Sequence, residues 1–405
     1  MANVKASMEA LYIHIPLCNQ ICSYCDFPKV FTQGQDVEAY LTALIAELAA
    51  YEKTVGFAGL KTIYIGGGTP TVLTIPQLDI LFTYLHAVIN FRSLTEVSIE
   101  ANPESLNDIH KIACLKGHGV TRISLGVQTF NEDLLKILKR SHTKKEACEV
   151  VALLREENFE INLDMIYGIP TGTLKDWEDD LDILLQLPIT HVSAYSLLLE
   201  THTKLYIDYM RDELELVDNE VEAQMFELVI DKLTAAGFEH YEISNFTKNK
   251  RSAHNITYWK NEYYIGVGLG AHGHLMRTPE VEKNLGNINI AREIMNGNNS
   301  IRYENTRSIT AYKKALEKGD LPVLSSHALT QDERIEESMF LGMRLMEGVN
   351  LAHLQAKYHV DIYELYQPKI DKLQDLGYVS LELGVLKLTR KGLMVANDVF
   401  EAFLL

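Results

Sequence analysis

Three of the chain's five cysteines, Cys18, Cys22 and Cys25, fall within eight residues in the spacing C-x3-C-x2-C, directly after the apolar, strand-like run Leu11 to Ile15. Neighbouring side chains of a strand point to opposite faces, so sulfurs this close together require the chain to leave the strand and wrap around something. Residue chemistry selects an inorganic centre. A structural zinc site takes four ligands, usually as two cysteine pairs far apart in sequence. No second pair exists here, because Cys114 and Cys148 stand alone. A cubane [4Fe-4S] cluster held by three local thiolates instead keeps one iron open to a small molecule. Two alternatives stay open at this point: a disulfide, and a zinc ion held by the three cysteines with His14. An odd, sparse cysteine count without a signal peptide indicates a reducing compartment, which disfavours the disulfide.

At 405 residues and 47% apolar composition, the chain can bury a sizeable core and is expected to form two domains. Residues 1–10 lack a basic segment followed by an apolar core, and no apolar run is long enough to cross a bilayer. A cytoplasmic protein that does not span the membrane is therefore expected. The net charge of −17 excludes nucleic acid as principal partner, since phosphate binding depends on lysine and arginine.

From residue 11 to about 200, short β-rich runs alternate with amphipathic helical patterns. The spacing predicts strands at Leu11 to Ile15, Thr62 to Ile65, Glu96 to Glu100, Arg122 to Gly126, Glu160 to Ile166 and His191 to Ser196. It predicts helices at Val37 to Tyr51, Pro76 to Asn90, Ser105 to Lys116, Lys144 to Glu157 and Leu174 to Leu185. Ser105 with Asp108 and Thr173 with Asp176 read as capping boxes in their Asp variant. Six β-α repeats imply a parallel sheet, either doubly wound or an incomplete barrel, and both fold types build their sites after the strands' C-terminal ends.

Polar residues gather at those ends. Strand two runs into Gly66, Gly67, Gly68, Thr69 and Pro70, where glycines allow close backbone approach. Strand three ends at Glu100, Gln128 and Arg140 follow strand four, and strand five contains Asp164. Each alone has an ordinary reading as a turn or a solvated end; together they describe one rim. Beyond residue 203 the repeat stops. Asn219 to Ala236 reads as a long helix, Gly237 to Phe246 as a strand leading into a loop, and Asn284 to Asn305 as a polar linker. Helices and a hairpin near Glu382 to Gly384 follow, as in a winged-helix-like unit. Residues 308–405 hold 11 Lys and Arg against 14 Asp and Glu, so this unit carries no basic footprint and is read as a packing or docking domain.

The cysteine spacing resembles the radical S-adenosylmethionine (radical SAM) family. Further stretches resemble its branch containing oxygen-independent coproporphyrinogen III oxidase and heme chaperones: Ile65 to Pro70, Ser124 to Phe130, Leu163 to Pro170, Ser193 to Ser196, Tyr241 to Asn245 and the His254 segment. The resemblance implies an α/β fold: a partial (β/α)6 TIM-like barrel over residues 1–240, a connecting segment over 241–305, and a smaller α+β, winged-helix-like C-terminal domain over 306–405. Two features favour the chaperone side of the branch. Phe27 stands where the oxidase carries a fourth cysteine, and His254, Asn255, Tyr258 and Trp259 match the chaperones' HNxxYW signature.

The resemblance further implies that Cys18, Cys22 and Cys25 hold a [4Fe-4S] cluster supplied by an electron donor. Tyr12, Gly67 and Glu100 would contact S-adenosylmethionine, while Tyr24, Gly68, Thr69, Gln128, Arg140 and Asp164 match positions near a second such molecule in the oxidase. Heme would be bound as cargo and passed to membrane-associated respiratory enzymes. The alternative activity is oxidative decarboxylation of coproporphyrinogen III to protoporphyrinogen IX. For heme, His254 is the candidate ligand, with Tyr258 and Trp259 stacking on the macrocycle and His272 and His274 as rivals.

Overall fold

Each β-rich run becomes a strand within two residues of its expected ends. These are β1 (Ala10–Ile15), β2 (Thr62–Gly67), β3 (Glu96–Ala101), β4 (Arg122–Gln128), β5 (Glu160–Tyr167) and β6 (His191–Ser196). They pair in parallel and in chain order in a computed structural model that describes residues 8–285 and 300–405. Both faces of such strands are covered, and β4 is buried along its whole length. The connecting helices are Val37–Thr54, Ile75–Val88, Ile109–Gly117, Lys144–Glu156 and Leu174–Leu184. Their apolar stripes, including Leu41, Leu44 and Leu48 of the first and Leu78, Leu81 and Leu85 of the second, join the strands in one core.

The two expected helix starts part company. Thr173 and Asp176 form the reciprocal capping box. The other does not form: Asp108 is itself the N-cap, accepting from His110 N at 2.9 Å, while Ser105 ends a 3-10 turn and donates to Asn102 O.

The sheet continues past both expected domain boundaries. The later strands are β7 (Glu239–Glu242), β8 (Asn245–Thr247), β9 (Tyr264–Val267), β10 (His272–Met276), β11 (Ser300–Asn305) and β12 (Val323–Ala328). Among the described residues one twelve-stranded sheet results, ordered β12-β11-β10-β9-β1-β2-β3-β4-β5-β6-β8-β7. Strand β9 lies parallel to β1, a seventh parallel strand beyond the expected six, and the outer pairings are antiparallel. Strands β8, β9, β10 and β11 of the segment 241–305 thus belong to the main sheet. Of the expected linker, 286–299 lies outside the described residues, Asn284 and Leu285 close the helix Pro279–Leu285, and Ser300–Asn305 is β11.

The C-terminal unit packs helices Gln331–Gly342, Leu351–Tyr358 and Ile362–Asp375 on a small sheet of β13 (Val349–Asn350), β14 (Val379–Glu382) and β15 (Val385–Leu388). Leu383 and Gly384 turn the hairpin with φ of 51° and 78°, the backbone that a two-residue loop between twisted strands requires. Its core, including Met339, Tyr366, Leu386 and Phe403, is separate from that of the barrel. No described helix is long and apolar enough to cross a membrane.

Candidate functional site

The cysteine loop leaves the C-terminal end of β1 and is tied at its base. Leu17 and Cys18 pair in parallel with Val30 and Phe31; Val30 N donates to Pro16 O at 2.8 Å and Thr32 N to Cys18 O at 2.9 Å. Cys18 is buried, Cys22 and Cys25 are half-buried, and all five cysteines are free. Gly68 must lack a side chain, because a Cβ there would lie 2.8 Å from Cys18 Sγ and 2.7 Å from Leu17 O. Arg140 Nη1 donates to Cys22 Sγ at 3.4 Å. Burial pushes the Cys18 thiol up to about 11 and raises that of Cys25, so metal binding here must displace protons.

The zinc alternative fails on His14. Its Nδ1 meets the Tyr12 hydroxyl at 2.9 Å and its Nε2 meets Pro28 O at 2.7 Å, so neither nitrogen is free, and burial lowers its pKa to about 4. The three loop sulfurs also do not converge within 4.8 Å of one another, whereas sulfurs on one tetrahedral zinc sit about 3.8 Å apart. His14 is instead a neutral strut between β1 and the end of the loop. Gly67, at φ 120°, accommodates its ring, which a Cβ would meet at 2.7 Å.

The sequence-predicted rim residues lie at this same end. Glu100 accepts from Gly67 N at 2.9 Å and from the Tyr64 hydroxyl at 2.8 Å, and Tyr64 stacks on Tyr12. Burial nevertheless pushes the Glu100 carboxyl up to about 7, so the site is short of a positive charge. Thr69 faces Cys18 and accepts from Asn102 Nδ2 at 3.0 Å; Asn102 Oδ1 in turn accepts from Arg140 Nη2 at 2.7 Å. Arg140 Nη2 also donates to Gly126 O. Gln128 adopts φ 69°, and its amide crowds Gly126, where a Cβ would lie 2.8 Å from Gln128 Nε2. Tyr24 rests on the cluster of Leu134, Leu138, Ile166 and Ile169. Phe27 is 66% exposed.

Asp164 accepts from Ser124 Oγ at 2.9 Å and from Asn162 Nδ2 at 2.8 Å, and burial raises its pKa. Behind it runs a polar chain that the sequence reading missed. Ser193 Oγ donates to Asn245 Oδ1 at 2.8 Å, and His191 spans Asn162 at 2.6 Å and the Tyr241 hydroxyl at 2.8 Å. The signal was present in the alternation of Asn162 with Asp164 and His191 with Ser193, since period-2 residues share one strand face. Asn102, bridging Thr69 and Arg140, was also missed, although it directly follows β3.

The residues present fit a cluster with an amino-acid-bearing ligand. Three cysteines share one loop, the buried Glu100 carboxyl lies at the same strand ends, and Arg140 Nε is buried with no hydrogen-bond partner.

The HNxxYW helix lies elsewhere. Helix Ala253–Trp259 sits at the N-terminal ends of β2 and β3, opposite the cysteine loop. Glu96, the first residue of β3, accepts from Ala253 N at 2.9 Å, and Thr62, the first of β2, pairs with His254 Nδ1 at 2.9 Å. His254 Nε2 meets the Tyr258 hydroxyl at 2.8 Å, the ring is fully buried, and burial lowers its pKa to about 3. Both nitrogens of His254 are thus occupied within the fold. Tyr258 and Trp259 do line a groove of about 330 Å³, with Tyr264 and Arg302 from the sheet and Glu337 and Phe340 from the C-terminal unit. Arg344 lies 4.2 Å over Trp259 and pairs at 3.4 Å with fully buried Glu242, which binds the two units together.

Fold and site together define a radical SAM protein. The model of the radical SAM superfamily matches residues 12–184, and that of the HemN C-terminal domain matches 329–395. Heme chaperone HemW of Bacillus subtilis (strain 168) is 39% identical over 98% of this chain and 99% of its own length. Heme chaperone HemW of Lactococcus lactis subsp. lactis (strain IL1403) is 38% identical over 98% and 97%. Among solved structures, coproporphyrinogen III oxidase (HemN) from Escherichia coli superposes with a TM-score of 0.80 at 20% identity, covering 100% of this chain and 91% of that one, which shows the shared fold. The chain belongs to the HemW family of radical SAM proteins.

Proposed function

We propose that the protein is a heme carrier that binds heme as cargo on a radical SAM scaffold and delivers it, in the cytoplasm, to membrane-associated respiratory enzymes. The observation that carries this reading is the end-to-end similarity to HemW relatives, which includes the C-terminal domain. Exposed Phe27, standing in place of the oxidase's fourth cysteine, supports it against the oxidase alternative.

Cys18, Cys22 and Cys25 hold the [4Fe-4S] cluster, which supplies an electron for reductive cleavage of S-adenosylmethionine when both are bound. The chain's own residues bind and orient. Glu100, Gly67 and Tyr12 would hold the cofactor's amino-acid end, with Glu100 as acceptor for its amino group, and Arg140, through its unpartnered Nε, would offer a donor to its carboxylate. Gly68, Thr69 and Gln128 shape the wall, Asp164 supplies acceptors, and Tyr24 excludes water.

For heme, Tyr258 and Trp259 provide an aromatic wall, beside Arg302 held in a bidentate ion pair with Glu337. His274 replaces His254 as the candidate axial ligand. It is buried, stands on the same sheet face as Tyr264 and Arg302, and its Nε2 has no partner. Burial holds its pKa well down, so the imidazole is neutral as ligation requires.

The test is anaerobic incubation of cluster-loaded protein with reductant, S-adenosylmethionine and coproporphyrinogen III, alongside heme titration. Stoichiometric heme uptake without protoporphyrinogen formation is expected; sustained turnover to protoporphyrinogen would replace the carrier with the oxidase.

A further inference from the structure

Cys114 takes no part in the cysteine loop, yet it is not alone in space. It projects from helix Ile109–Gly117, and His118 caps that helix four residues on, so a single helical face presents both. The adjacent helix Ile75–Val88 contributes Asp79. Asp79 Oδ1 lies 2.7 Å from His118 Nε2 and 3.6 Å from Cys114 Sγ. The three ligand-type atoms all fall within 4.8 Å of one another, a convergence found here among the described residues.

The surroundings hold this arrangement in place. The His118 imidazole stacks on Phe82 at 4.7 Å and 8°, which fixes its plane, and the His86 ring centre lies 5.9 Å from that of His118. Cys114 and His118 are half-buried and Asp79 is exposed, so an ion can enter from solvent. Thiolate, imidazole and carboxylate are the donor set that zinc takes in proteins. With thiolate and carboxylate charged, the site offers two negative charges to a divalent ion.

We propose that Asp79, Cys114 and His118 form a zinc site on the outer face of the barrel, with the fourth position open to water and separate from the [4Fe-4S] loop.

The test uses full-length, cluster-loaded protein given stoichiometric zinc chloride under anaerobic conditions, dialysed, and analysed for zinc and iron by mass spectrometry. About one zinc per chain is expected with iron unchanged. Zinc affinity should fall at least tenfold in Cys114→Ser, His118→Ala and Asp79→Asn, and stay unaltered in Cys148→Ser. Zinc-edge X-ray absorption of the unmutated protein provides a readout independent of variant folding. It should show one sulfur at about 2.3 Å with lighter donors. No retained zinc, equal retention in Cys114→Ser and His118→Ala, or a shell with no sulfur or with three would overturn the proposal.

Discussion

The two ends of the barrel carry equally recognisable motifs but opposite local chemistry. At the C-terminal ends of the strands, polar atoms are left wanting: Arg140 Nε has no partner, and Glu100 is short of a cation. At the N-terminal ends, His254 is satisfied on both nitrogens, and Glu96 accepts from Ala253 and His254 backbone amides. Unmet polar groups mark a place for a ligand, whereas satisfied ones mark a joint. His254 is such a joint, whereas Trp259 of the same helix, its buried Nε1 without a hydrogen-bond partner, borders the seam with the C-terminal unit.

The contrast breaks most readily at the cysteine loop. Replacing Cys18, Cys22 and Cys25 with serine should abolish iron and sulfide content in anaerobically purified protein, while circular dichroism reports an intact fold. Gly68→Ala should also lose most of its iron, because the added carbon lands against Cys18 Sγ.

Substitutions at the other end should cost stability rather than iron. Arg344→Ala strips the ion-pair partner from buried Glu242 and the cover from Trp259, and should lower unfolding free energy by about 3 kcal/mol in denaturant titration. His254→Ala orphans the Thr62 and Tyr258 hydroxyls and opens a cavity. It should cost about 2–4 kcal/mol yet preserve heme affinity in the folded protein. A loss of heme affinity in His254→Ala greater than in His274→Ala would restore His254 as the ligand.

A smaller effect concerns pH. Glu47 is fully buried and accepts from Gly268 N, Asn305 Nδ2 and the Tyr312 hydroxyl, and burial pushes its carboxyl up to about 7. The folded state therefore holds a proton that the unfolded chain releases near pH 4.5. The resulting stability is present below that pH and is lost as pH rises to about 7, by at most about 3 kcal/mol. Glu47→Gln should flatten the pH dependence of denaturant unfolding between those limits.

How much of this was legible follows from which residues decide each feature. The parallel strands declare themselves because both faces are buried, so runs such as Ile123 to Val127 are dense in apolar residues. Thr173 and Asp176 announce a helix start because the two partners are local. The short strands β8 and β9 carry no such local signal; tertiary pairing makes them strands, which hid the sheet within a supposed connector. Ser105 misled because the competing cap, Asp108, stood three residues on. The contacts of His254 were hidden for a similar reason: nothing nearby in sequence reveals Thr62, 192 residues away, as the partner of its Nδ1. The cysteine spacing was readable at once, but Asn102 and the chain from Asn162 to Asn245 depend on strands brought side by side.

The proposed heme groove at the seam lies away from the cysteine loop at the barrel's other end. Anaerobic heme titration of cluster-loaded protein beside the triple Cys18→Ser, Cys22→Ser, Cys25→Ser variant tests this directly. Equal stoichiometry and affinities within about threefold are predicted, with heme uptake lost in Trp259→Ala. Heme binding that vanishes with the cluster and survives Trp259→Ala would contradict it.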